Sequence, residues 1–159
     1  DKGLRPESVL LLGAGGACRA CIEGLKKSGV SRIWVCARSE DKSRQVGKEL
    51  GVDTKPWKER FAVRADLLVN ATPLGMSGKW VDKSPYADIE ALKNFSVVYD
   101  LIYNPLETLL LQQAQRAGCM VIGGLEMFLN QAAEQFRLWT GSRFDPEAAR
   151  YVLKSCLTT

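Results

Sequence analysis

The sequence predicts an α/β fold, a doubly wound parallel sheet. Short apolar runs alternate with helical stretches across short loops, the pattern that builds a sheet with helices packed on it. The first run, Val9-Leu10-Leu11-Leu12, is continuously apolar, as in a strand buried on both faces. It opens at once into the glycine turn Gly13-Ala14-Gly15-Gly16, and a helix with small early residues follows.

This strand–turn–helix start defines a Rossmann-type dinucleotide-binding unit and predicts an NAD(P)-binding domain. Gly13 makes the tight turn, and Gly15 lets backbone approach a pyrophosphate. Cys18 takes the third glycine slot of G-x-G-x-x-G, where a small residue still allows close packing. Gly16 and Ala17 begin the helix, whose free N–H groups and dipole favour an anion. The alternative is a glycine turn that only packs.

The first strand is expected over Val9–Leu12 and the first helix over Gly16–Ser28, with Ala17, Ala20, Cys21, Gly24 and Leu25 on its inner face. Gly29 ends that helix. The second strand, Ser31–Ala37, decides the cofactor. An NAD enzyme places a carboxylate about 20 residues after the glycine turn to bind the ribose 2′-OH. This chain has Cys36-Ala37-Arg38-Ser39 instead. Arg38 offers a planar, permanently charged fork to a 2′-phosphate, with Ser39 adding a hydrogen bond and Lys42 a second charge. The cofactor expected is therefore NADP (NADPH) rather than NAD. Glu40 and Asp41 weaken that field, and a solvent-facing Arg38 is the plainer alternative.

A second helix is expected over Asp41–Leu50, stopped by Gly51. Residues 52–65 read as irregular and charged, with room for a short helix over Lys58–Val63. The next strand is expected within Ala65–Asn70. It runs into Ala71-Thr72-Pro73-Leu74-Gly75-Met76, a proline-locked turn at a strand's carboxyl end and so in the ligand crevice. Asn70 and Thr72 are candidates to hold the cofactor's ribose or nicotinamide side. The alternative for Asn70 is that it stabilises its own turn. A loop over 77–95 with a short helix at Ile89–Lys93 leads to a strand at Ser96–Asp100, and the loop Leu101–Pro105 carries Tyr103. A helix at Leu106–Ala117, a strand at Cys119–Ile122, a long helix at Leu125–Thr140 and a last helix at Asp145–Cys156 complete the chain. Asp145 caps the last helix and Pro146 takes its first position.

The totals agree with one domain. The 159 residues suffice for a real core. The net charge of +4 suits an anionic cofactor without forming a basic tail, so no nucleic-acid partner is expected. No apolar stretch approaches the roughly 20 residues of a membrane span, and no signal peptide is legible. A cytoplasmic location with no membrane partner is expected. The chain contains no histidine, which excludes Ser-His-Asp and Cys-His catalysis and His-ligated zinc; no metal is expected. Five cysteines are scattered. Cys18-x-x-Cys21 stands at a helix N-terminus, where a thiol can be activated, but packing is the plainer reading. Asp1 and the polar lead-in over residues 1–8, with Pro6, read as a connection from something upstream.

Taken together, the motifs resemble the shikimate dehydrogenase family, which includes quinate/shikimate dehydrogenases. The resemblance rests on Gly13–Ala17, on Ala37-Arg38-Ser39-Glu40-Asp41-Lys42, on Asn70–Met76, on Tyr99–Pro105 with Thr108, and on Gly124–Ala132 ending at Phe136, Trp139, Thr140 and Gly141. It covers nearly the whole chain. It departs at Ala37, where the family has Asn, and at Glu126-Met127-Phe128, where Gly-Met-Leu is usual. The resemblance implies that Gly13, Ala14, Gly15, Gly16 and Ala17 hold the pyrophosphate, while Ala37, Arg38, Ser39 and Lys42 meet the adenosine end. It implies that Asn70, Ala71, Thr72, Pro73, Leu74, Met76, Leu101, Gly124 and Met127 line the cofactor's other half, and that Tyr103 and Gln131 reach the substrate. The implied reaction is reversible hydride transfer between NADPH and 3-dehydroshikimate, giving shikimate in aromatic amino-acid biosynthesis.

The family's N-terminal substrate domain, with its proton-moving Lys and Asp, has no visible counterpart here. Lys79 and Asp82 read as solvated loop charges. The expectation is a cofactor-binding half over residues 1–159, with no catalytic residue of its own and a small-molecule substrate, shikimate or a relative, shared with an upstream domain. The alternatives are a non-catalytic nucleotide-binding module, a paralogue acting on quinate or another substrate, or a different NAD(P)-dependent dehydrogenase. The oligomeric state is left open.

Overall fold

A computed structural model describes residues 5–157, so the lead-in expected over 1–8 is seen only from Arg5 onward. The elements are β1 (Ser8–Leu12), α1 (Gly16–Lys27), β2 (Arg32–Ala37), α2 (Glu40–Leu50), β3 (Asp53–Pro56), a 3-10 turn (Trp57–Ala62), β4 (Leu67–Asn70), α3 (Ile89–Leu92), β5 (Val97–Asp100), α4 (Leu109–Arg116), β6 (Met120–Ile122), α5 (Leu125–Thr140) and α6 (Pro146–Leu157). The six strands run in the order β3-β2-β1-β4-β5-β6, and every neighbouring pair is parallel. The strand order reverses between β1 and β4. Connections leave those two strands in opposite directions, and a crevice opens above their carboxyl ends. This is the doubly wound, Rossmann-type sheet the sequence predicts.

β1 is the axis of the core, and all five of its residues are buried. Val9 and Leu11 face one layer, with Cys18 and Ile22 of α1 and Val46 of α2. Leu10 and Leu12 face the other, with Tyr86, Leu92 of α3, Phe95, and Leu110 and Ala114 of α4. Each fully buried Val, Leu or Ile side chain here stabilises by roughly 1.5–3 kcal/mol. One carboxylate ties the entry of β1 to that of β4. Asp66 Oδ2 accepts from the Glu7 and Ser8 N–H groups, each at 2.9 Å, and from the Ser8 hydroxyl at 2.8 Å. Those donors, the Ser8 hydroxyl first, hold the Asp66 carboxyl below its ordinary value.

Three local expectations need correction. Residues 53–56, expected as irregular, form the edge strand β3, in register with β2 from Trp34↔Asp53 to Ala37↔Pro56. Asp-Thr-Lys-Pro has no strand signature of its own; pairing with β2 makes it one. The inner face of α1 is rotated from the expected one: Cys18 and Ile22 are buried, while Ala17 and Ala20 are not. Ile22 is the largest β-branched side chain on that helix, and turning it inward sets the rotation. α4 begins at Leu109, three residues later than expected, because Thr108 caps it and accepts from the Leu111 N–H. The long helix has the expected bounds, Leu125–Thr140, and Asp145 Oδ1 caps α6 by accepting from the Glu147 N–H.

α6 buries no residue. It is held by the Arg150 fork on both Glu126 carboxylate oxygens, at 2.8 Å each, and by the edge contact of Phe136 with Phe144 near the α5–α6 turn. Among the described residues, no helix is long and apolar enough to cross a membrane.

Candidate functional site

The crevice holds a cleft of about 610 Å³ over the carboxyl ends of β1, β2 and β4. Its floor is the glycine turn. Gly13 has a φ of +118°, and a Cβ on it would lie 2.8 Å from the Ala71 carbonyl oxygen, so only glycine lets the two turns pass this closely. Gly13 N–H donates to Cys36 O and Ala71 N–H to Leu12 O, each at 2.8 Å, which locks the turn between both neighbouring strands. Above it stands the N-terminus of α1.

That N-terminus differs from those of the next helices around the sheet. α2, α3 and α4 are each capped by a side chain, from Ser39, Asp88 and Thr108. α1 has neither a side-chain cap nor an acidic residue in its first turn. Its leading N–H groups have no side-chain acceptor, and a Cβ on Gly15 or Gly16 would meet nothing within 4 Å. An open glycine surface, free N–H groups and a positive helix end fit a pyrophosphate.

At the far end of the cleft lie Ala37, Arg38, Ser39 and Lys42. Arg38 and Lys42 are exposed, and neither forms an ion pair with a described residue. Glu40 and Asp41 are drawn aside by Arg44, whose guanidinium lies 2.7 Å from Asp41 and 3.7 Å from Glu40. The field at Arg38 is therefore less weakened than the sequence implies. The Ser39 hydroxyl accepts from the Lys42 N–H at 3.4 Å as the cap of α2. One residue of this wall is not legible from the motifs: Trp57, just past β3.

Ala71, Thr72 and Pro73 line this cleft and also a second cavity of about 410 Å³, so the two are continuous along one turn. Leu74 lines the first. Ala17, Met76, Leu101, Tyr103 and Met127 line the second. Tyr103 is fixed by stacking on Phe128, centroids 4.3 Å apart. The structure thus brings together most of the residues singled out in the sequence. Four stand apart. Gly16 is exposed at the head of α1 and lines neither cavity. Gln131 is exposed one turn beyond Met127, outside both. Gly124 is packed beneath the Leu101–Ile102 backbone, where a Cβ would lie 2.2 Å from the Leu101 carbonyl oxygen.

Asn70 is the fourth, and its expected contact with the cofactor is corrected. The residue is fully buried and its amide is fully engaged. Nδ2 donates to Leu74 O (3.1 Å) and Asp100 Oδ1 (2.9 Å), while Oδ1 accepts from the Thr72 N–H (2.9 Å) and hydroxyl (2.7 Å). Asn70 shapes the turn that lines both cavities and has nothing left for a ligand. Its partner Asp100 also accepts from the Ile102 N–H and the Thr108 hydroxyl. One buried carboxylate therefore joins the 70–76 turn, the 101–105 loop and the cap of α4.

Burial pushes the Asp100 carboxyl up to about 6 against those three hydrogen bonds. The unfolded value is near 4. Between those limits the folded chain keeps a proton that the unfolded chain has lost. This contribution is full below about pH 4, declines as pH rises, and is gone above about pH 6. Urea unfolding of wild type and Asp100→Asn across that window is expected to show it: their stability difference should change by roughly 2–3 kcal/mol, the wild type losing relative stability as pH rises. A difference independent of pH would remove this role of Asp100.

The cysteines follow the packing reading. Cys18 is fully buried, and burial pushes its thiol up to about 12; Cys21 is raised for the same reason. Both stay protonated at neutral pH, which is the reverse of an activated redox pair. No disulfide and no cluster of metal-binding side chains is found among the described residues.

Fold and cleft together define a dinucleotide-binding domain of the Rossmann type. Comparison with known proteins narrows this further. Residues 124–154 match the model described as Shikimate 5'-dehydrogenase C-terminal domain, and residues 8–93 match the one described as NADP oxidoreductase, coenzyme F420-dependent. Shikimate dehydrogenase (NADP(+)) of Maridesulfovibrio salexigens is 44% identical over 155 residues, covering 94% of this chain and 57% of that protein. Shikimate 5-dehydrogenase of Thermus thermophilus, solved with NADP(H) and shikimate, superposes with a TM-score of 0.81 at 35% identity, covering 94% of this chain and 55% of that one. Quinate dehydrogenase of Corynebacterium glutamicum, solved with NAD, gives 0.83 at 30% identity, covering 93% and 55%. The chain belongs to the shikimate dehydrogenase family. It spans about half the length of the curated relatives it matches.

Proposed function

We propose that this chain is the NADP-binding part of a dehydrogenase that interconverts 3-dehydroshikimate and shikimate. The observation that carries the cofactor assignment is Arg38, exposed and without an ion pair to any described residue, at the carboxyl end of β2 where an NAD enzyme has a carboxylate. Family membership carries the substrate class. NADPH, when bound, supplies the hydride.

The chain's own residues bind and orient. Gly13, Ala14 and Gly15 with the α1 N-terminus hold the pyrophosphate, and Arg38, Ser39 and Lys42 hold the 2′-phosphate. Ala71–Leu74, Met76, Leu101 and Met127 form a mostly apolar wall that keeps water from the nicotinamide end. Tyr103 presents a hydroxyl at that end, and Gln131 extends the same helix as Met127 toward a substrate bound outside this chain. The proton step is not given to Asp100, which is sealed under the floor, or to Lys79 and Asp82, which are exposed on a loop. That step belongs to a Lys and Asp pair in a substrate domain, in the part of the relatives' length this chain does not span. The small-molecule substrate and the expected cytoplasmic location form part of the same proposal.

A titration of the purified chain with NADPH and NADH, followed by nicotinamide fluorescence, tests this reading. NADPH is expected to bind at least about tenfold more tightly, the return on one 2′-phosphate contact. Equal affinities, or no binding of either, would overturn the cofactor assignment.

A further inference from the structure

We propose that Trp57 is the adenine platform of the cleft, a base-binding residue that none of the sequence motifs contains. The inference rests on the dinucleotide reading above. β3 pairs with β2 in the register Ala37↔Pro56, so the next residue along each strand, Trp57 and Arg38, stands at the same carboxyl edge. Both line the cleft, and among the described residues Trp57 is the only aromatic side chain that does. A 2′-phosphate held by Arg38 brings the adenine of the same nucleoside to that edge. At the same edge, Ala37 and Ser39 offer a base little to stack on.

Trp57 is also held in place from behind. The Arg60 guanidinium lies 4.1 Å from the Trp57 ring centroid and 3.9 Å from that of Phe61. Arg60 Nη1 donates to the Trp57 carbonyl at 2.7 Å and Nε to the Pro85 carbonyl at 2.9 Å. On the strand before it, the Cys36 thiol donates to Pro56 O at 3.3 Å. An aromatic ring fixed by a cation at its back and by hydrogen bonds along its backbone is ordered before a ligand arrives, so a stacked base loses little to ordering it. Stacking reads no base edge, so Trp57 adds affinity for the adenosine half of NADP and NAD alike, and Arg38 chooses between them.

The test uses adenosine 2′,5′-bisphosphate, which carries the adenine and the 2′-phosphate but no nicotinamide. Affinities for it and for NADPH are measured by calorimetry on wild type, W57A and W57F, and tryptophan emission is followed in parallel. W57A is expected to bind both ligands about tenfold more weakly, and W57F to stay within about threefold of wild type, as stacking on any aromatic face predicts. The bisphosphate is expected to quench wild-type emission, and that quenching should vanish in W57F although the ligand still binds. Wild-type affinity in W57A, or equal weakening in W57A and W57F, would overturn the proposal; in both cases NADPH binding by wild type leaves the cofactor reading intact. A wild-type chain that binds neither ligand overturns the cofactor reading itself, and this inference with it.

Discussion

Arg38→Ala is expected to weaken NADPH binding about ten- to a hundredfold and to leave NADH binding within about twofold. The size follows from the contact removed: hydrogen bonds to charged groups contribute about 1.5–3 kcal/mol, and each 1.4 kcal/mol is tenfold in affinity. The selectivity follows from position. Arg38 lies one residue past β2, in line with the cleft and away from the glycine turn, so its loss leaves the pyrophosphate cradle untouched. Because the side chain is exposed, its effect should shrink as salt is raised. Arg38→Lys keeps the charge but not the fork, and should fall between wild type and Ala. Parallel titrations with both cofactors at two ionic strengths check all of this. Equal losses for NADPH and NADH would move Arg38 from the 2′-phosphate to a role shared by both cofactors. Among the structural neighbours, one is solved with NAD and another with NADP(H).

The parts legible in the sequence are those whose signals are local. The apolar run Val9–Leu12, the glycines after it and the caps Gly29, Gly51 and Asp145 depend on a few neighbouring residues, and each stands at its expected place. What was illegible depends on partners distant in sequence. Asp53–Pro56 is a strand only because β2 lies beside it. Trp57 reaches the cleft only because that pairing fixes where the chain turns. Asn70 reads as a ligand contact because its turn lines the cleft, yet Asp100, a buried carboxylate at the end of β5, claims its amide. A hydrogen-bonding residue in a site loop presents the same sequence whether it serves the ligand or the loop, and only its burial and partners separate the two.

Gly124 and Gly15 both stand at the head of a helix and are expected to fail in opposite ways. Gly124 has ordinary helical dihedrals, φ −74° and ψ −9°, so its requirement is for space and not conformation. A Cβ there would lie 2.2 Å from Leu101 O and 2.7 Å from Ile102 O, both backbone atoms. That backbone cannot easily yield. Leu101 N–H donates to Asn70 O, Ile102 N–H to Asp100 Oδ1, and Gly124 N–H itself to Ile102 O. The head of α5 must move instead, taking Met127 from the wall of the second cavity. Gly124→Ala is therefore expected to cost about 3 kcal/mol, at the upper end of overpacking, and to lower Tm by about 10 °C. In what remains folded, NADPH should bind more weakly while adenosine 2′,5′-bisphosphate, which does not reach Met127, binds as before. Gly15→Ala is the converse. Its φ of −91° suits alanine and its Cβ meets nothing, so Tm should stay within a few degrees, but the methyl group occupies the surface where a pyrophosphate must approach. Affinity for NADPH should fall at least about tenfold with stability unchanged. Thermal unfolding and titration of the two variants side by side separate the glycine that the fold requires from the glycine that the ligand requires. A Gly15→Ala chain that binds NADPH as wild type does would place the pyrophosphate elsewhere in the cleft.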